Sequence, residues 1–148
     1  MKETTVKEYF NLLLSTPRIA KYIVECKENR GDSRPFNPRC SIIETAGSMY
    51  AGITYNANTV CISSWILVDD VQTKAVVRHE LAHALHFYSK LGGNSHGKEF
   101  NSILRIVSPR KWRTDKHWVP NITIEKARGK VHKTQSRVLT NRTGLVKK

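Results

Sequence analysis

Apolar residues recur at helical spacing in four stretches of the chain, with a block of β-branched residues between the second and the third. Residues 3–14 place Val6, Phe10, Leu13 and Leu14 on one stripe, which predicts a first helix. Ser15 or Thr16 caps a second helix with Pro17 in its first turn, running through Ile19, Tyr22 and Ile23 to about Lys27. Residues 29–39 (NRGDSRPFNPR) hold Gly31, Pro35 and Pro38 and read as a loop, in which Arg30-Gly31-Asp32 is a turn. Arg30, Arg34, Arg39 and Phe36 are the loop's candidates for touching nucleic acid, although its composition is that of a solvated loop.

From Cys40 to Leu67 the composition shifts to strand formers in the segments CSIIETA, SMYAGITY and TVCISSWIL. Asn56-Ala57-Asn58 is a hairpin turn between the last two, and the expected product is a small antiparallel sheet. Asp69 or Asp70 then caps a third helix starting near Val71. There Ala75, Val76, Leu81, Ala82, Ala84, Leu85 and Tyr88 leave little polar surface, so the helix should be buried. Residues 97–107 (GKEFNSILRIV) predict a short amphipathic helix with Phe100, Ile103, Leu104 and Val107 inward, stopped by Pro109.

The third helix carries His79, Glu80 and His83 in the order H-E-x-x-H. Positions four apart share a helix face, so the two imidazoles can converge on one ion. Glu80 lies about 100° round the helix, where it does not compete as a ligand but can reach a water held by the metal as a general base. Zinc suits such a site, because it accepts neutral imidazole, tolerates an open fourth position and makes its water acidic. In a buried helix, two histidines and a glutamate without partners would be costly, which weighs against a chance pattern.

A third ligand can come from His86 or His96, with Glu99 as an outside candidate. Three side chains in a row along one helix enclose a tetrahedral ion poorly. His96 follows a reversal at Gly92, Gly93 and Asn94, so coordination geometry favours it. HELAHALHF followed by HGKEF (His96 to Phe100), with the Ala51-Gly52 pair and TVCISSWIL upstream, resembles the SprT-like (Spartan-type) zinc metalloprotease family over roughly residues 41–118. The resemblance implies one Zn²⁺ per chain on His79, His83 and His96, Glu80 as the catalytic glutamate, and a zincin-like fold. It also implies an endopeptidase acting on DNA-bound or DNA-crosslinked proteins. Many relatives carry a cysteine zinc ribbon near the C-terminus, whereas this chain has no cysteine after Cys61.

At 148 residues the chain has room for a single core, and 39% hydrophobic residues fit a globular protein with polar extensions. Net charge is +13 from 25 basic and 12 acidic residues, which favours a polyanionic partner whose binding salt weakens. Residues 109–120 interleave Arg110, Lys111, Arg113 and Lys116 with Trp112 and Trp118, a composition suited to stacking on bases while tracking the backbone; the same tryptophans could equally close the core. Residues 126–148, with Lys126, Arg128, Lys130, Lys133 and Arg137 among eight basic and no acidic residues, read as a flexible basic arm after a metalloprotease domain at 1–125. Cys26, Cys40 and Cys61 form neither a disulfide framework nor a zinc ribbon, and no stretch is a signal peptide or a membrane span. The expected protein is soluble and intracellular, in cytoplasm, nucleoid or nucleus according to host.

These observations predict an α+β zincin-like domain that cleaves proteins on single-stranded or mixed DNA. The rival is a non-proteolytic nucleic-acid-binding protein whose zinc site is structural or vestigial.

Overall fold

The computed structural model describes residues 1–44 and 50–108. Within them the chain is α+β, with four α-helices and a mixed three-stranded sheet. Helix α1 (Glu3–Ser15) buries Val6, Phe10 and Leu13, and helix α2 (Pro17–Arg30) starts on its proline and ends at Gly31, whose φ of 76° is the left-handed stop that glycine adopts without strain. Strand β1 (Arg39–Ile43), strand β2 (Gly52–Asn56) and strand β3 (Thr59–Ser63) follow, then helix α3 (Asp70–Ser89) and helix α4 (Lys98–Val107).

The sheet corrects the antiparallel expectation. Its order is β1-β3-β2, with β3 antiparallel to β2 across the Asn56–Thr59 hairpin and parallel to β1. The hairpin was legible because its turn is local. Neighbours in sequence need not be neighbours in the sheet, however, and β3 inserts between β1 and β2. The third segment is also shorter than TVCISSWIL suggests. The strand ends at Ser63, and Ser64–Val68 forms a tight helical turn that buries Trp65 and Ile66.

Helix α3 is the axis of the molecule, touching the other three helices, β2, β3 and the helical turn. Asp69 caps it, its carboxylate accepting from the Gln72 N–H at 2.9 Å. Every residue from Ala75 to Leu85 is buried, and Val76, Val77, Leu81 and Leu85 are each no more than 1% exposed. Full burial of such a side chain is worth about 1.5–3 kcal/mol, so apolar packing fixes α3 firmly enough to carry polar groups between its hydrophobic residues. In α4 the predicted stripe of Phe100, Ile103, Leu104 and Val107 is buried throughout.

The end of α3 is tied to the α2–β1 loop. Arg30 donates to the Tyr88 carbonyl at 2.6 Å, lies over the Tyr88 ring, and pairs with both Asp32 oxygens at 3.0 and 2.7 Å. Tyr88 donates its hydroxyl to the Arg34 carbonyl, and Phe36 packs on its ring at 4.9 Å. Arg30 and Phe36 are therefore occupied in holding the fold, and Arg30-Gly31-Asp32 is the expected turn.

Hydrogen bonds from Arg30 and then from the Arg34 N–H hold the Asp32 carboxyl well below its ordinary value of 3.8. A depressed carboxyl stabilises the fold above its unfolded-state value and loses that contribution as pH falls through the folded-state value. Asp32→Asn is therefore expected to lower the unfolding midpoint by a constant amount near neutral pH, with the gap from wild type closing only below about pH 4. Thermal melts of both proteins across pH check this.

Candidate metal centre

Helix α3 brings His79 and His83 to one face, as their spacing requires, with exposures of 6% and 5%. The chain leaves α3 at Lys90, reverses through Gly92 and Gly93 at φ of 72° and 83°, and re-enters a helix at Lys98. This reversal carries half-buried His96 back over α3. The three Nε2 atoms form a nearly equilateral triangle: 3.2 Å from His79 to His83, 3.3 Å from His79 to His96 and 3.1 Å from His83 to His96.

A tetrahedral ion with metal–nitrogen bonds of about 2.0–2.1 Å separates its nitrogen ligands by about 3.3 Å. The triangle matches that spacing, so His79, His83 and His96 are positioned to hold a metal ion. His86 does not join them; its ring contacts the Gly92 carbonyl at 2.5 Å and so braces the reversal. Glu99 is outside the group as well, its carboxylate lying against Gly93, where an added Cβ would come within 2.2 Å of Oε1.

Phe100 packs against all three candidate ligands. It stacks on His83 with ring centres 4.2 Å apart and meets His79 and His96 edge-on, each at 5.2 Å. The sequence marked Phe100 as core, and this second role depends on the turn that folds α4 onto α3.

Glu80 is 1% exposed and reaches β2. The Thr54 hydroxyl lies 2.7 Å from Glu80 Oε1 and 3.0 Å from the Glu80 carbonyl. Two positions earlier, a Cβ on Gly52 would sit 2.7 Å from Glu80 Cγ, so this strand approaches the helix only because residue 52 has no side chain. Neither contact could be read from the H-E-x-x-H motif; the Ala51-Gly52 pair was the sole trace of it.

A cleft of about 360 Å³ opens beside the triad, lined by residues that include His83 and Thr54 on one side and Phe87, Lys90 and Gly93 towards the reversal. Two of the cysteines, Cys26 and Cys40, offer no rival nucleophile here. Burial raises Cys26 and pushes Cys40 up to about 12, which leaves both protonated near neutral pH. Arg110, Lys111, Trp112, Arg113, Trp118, Lys126, Arg128, Lys130, Lys133 and Arg137 lie outside the described residues.

The described residues form an α+β domain in which three histidines, converging from a buried helix and the turn after it, are placed to hold a metal ion. The model of the SprT-like family matches residues 19–128, well over half of the chain, and the protein belongs to that family. Comparison with curated proteins and with solved structures finds no match.

Two outcomes follow from the geometry. His96→Ala is expected to weaken Zn²⁺ binding by at least about a hundredfold, since losing even a residue behind a ligand costs 10–100-fold, while His86→Ala keeps one metal per chain; chelator competition and metal analysis measure both. Gly52→Ala is expected to cost roughly 1–3 kcal/mol in thermal or denaturant unfolding, because β2 or Glu80 must move.

Proposed function

We propose that the protein is a zinc-dependent endopeptidase that cleaves proteins held on DNA. The observation that carries the reading is the buried glutamate next to the three-histidine cluster: Glu80 is 1% exposed and follows the ligand His79 directly on α3. A purely structural metal site has no use for a carboxylate there.

Zinc, when bound by His79, His83 and His96, would supply Lewis acidity and an acidified water. The protein's own groups do the rest. Among the described residues β2 is one of the two edge strands in the order β1-β3-β2, and it is the one beside Glu80, so its edge away from β3 can pair with the backbone of an extended peptide. A peptide aligned there runs past Thr54 and His83, both of which line the cleft, and the cleft can receive one of its side chains. Glu80 takes the proton from the attacking water and delivers it to the departing amine, so one carboxylate serves both halves of the hydrolysis.

The basic excess of +13 supports a polyanionic tether, and DNA is the partner we infer, single-stranded or mixed. Selectivity then comes mainly from delivery, with substrate concentrated by a shared strand. Among the described residues, no helix is long and apolar enough to cross a membrane.

Zinc-loaded protein incubated with a DNA-binding protein is expected to cleave it faster when single-stranded DNA is present. Glu80→Gln should keep its zinc and lose at least about a hundredfold in rate. Tight DNA binding without cleavage under any condition would instead favour a nucleic-acid-binding protein with a structural zinc site.

A further inference from the structure

Strand β2 presents two unlike residues to the same side chain. Gly52 and Thr54 are two apart and so share a face of the strand, and both meet Glu80. Gly52 leaves the space that the Glu80 Cγ occupies, and the Thr54 hydroxyl lies 2.7 Å from Oε1. A hydroxyl has one hydrogen to give, and the nearer carboxylate oxygen is a stronger acceptor than the main-chain carbonyl at 3.0 Å.

We propose that Thr54 is the positioning residue for Glu80, its hydroxyl holding the carboxylate against β2. The catalytic meaning of this assignment rests on the endopeptidase reading. Glutamate has three side-chain torsions, and freezing them costs rotamer freedom. A buried carboxylate also loses hydration that only hydrogen bonds replace. The bond from Thr54 contributes to both, and threonine's branched Cβ restricts the rotamer of the donor itself.

The location adds a second consequence. Thr54 also lines the cleft that reaches His83. The strand that aligns the peptide backbone is thus the strand that holds the base, so register on β2 sets the distance between scissile bond and carboxylate. Loss of the hydroxyl should therefore affect the chemical step far more than substrate binding.

The test compares zinc-loaded wild type with Thr54→Val, Thr54→Ala and Thr54→Ser by crystal structure and by steady-state cleavage of one peptide. Valine removes the hydroxyl while nearly keeping the shape, and alanine does so without adding a methyl near the buried face. In both, the Glu80 carboxylate is expected to leave its position against β2. Zinc content should stay unchanged, KM should hold, and kcat should fall by about tenfold or more. Serine should restore the Glu80 position and most of kcat. A Glu80 carboxylate that stays in place in both the valine and alanine variants would overturn the assignment, as would an unchanged kcat in an active enzyme. Failure of the endopeptidase reading shows separately, as absence of cleavage by wild type; the Glu80 position in the variant structures then decides the Thr54 assignment by itself.

Discussion

The constraint on which this structure turns is the burial of two imidazoles and a carboxylate inside one helix. His79, Glu80 and His83 lie at 6%, 1% and 5% exposure among aliphatic neighbours that make α3 the core of the domain. Groups of this kind are stable in an apolar interior only with partners. The surrounding elements can be read as the supply of those partners. The glycine reversal brings His96 to complete the triangle, α4 brings Phe100 to pack the three rings, and β2 brings Thr54 to the carboxylate.

That arrangement separates two jobs. Apolar contacts with α1, α2, α4, β3 and the helical turn hold the helix, while β2 and the reversal after α3 bring Thr54 and His96 to the groups it carries. Rigid support with a close-fitting polar surround is what a preorganised site needs, since small displacements of a base or ligand are costly to catalysis. The clamp of Arg30, Asp32 and Tyr88 extends the same support to the C-terminal end of α3, where the chain must turn sharply to place His96.

What could be read from the sequence was whatever depends on near neighbours. Helical stripes, a cap at Asp69 or Asp70, the hairpin at Asn56-Ala57-Asn58 and the H-E-x-x-H spacing are local patterns, and each is present in the structure, the cap falling to Asp69. His96 was favoured over His86 on coordination geometry, and the three Nε2 atoms within 3.3 Å of one another bring together that set. The parallel pairing of β1 with β3 was not legible, because strand order depends on contacts across the sheet. Thr54 escaped for the same reason: nothing in GITYN says that its hydroxyl meets a helix 26 positions further on.

The central claim is that this helix and the turn after it form a metal centre of three histidines. X-ray absorption at the zinc edge of the zinc-loaded protein addresses it most directly. The account predicts three imidazole nitrogens at about 2.0–2.1 Å and one further light atom in a four-coordinate shell. A shell with two imidazoles or fewer, or zinc that washes away without a defined shell, would contradict it.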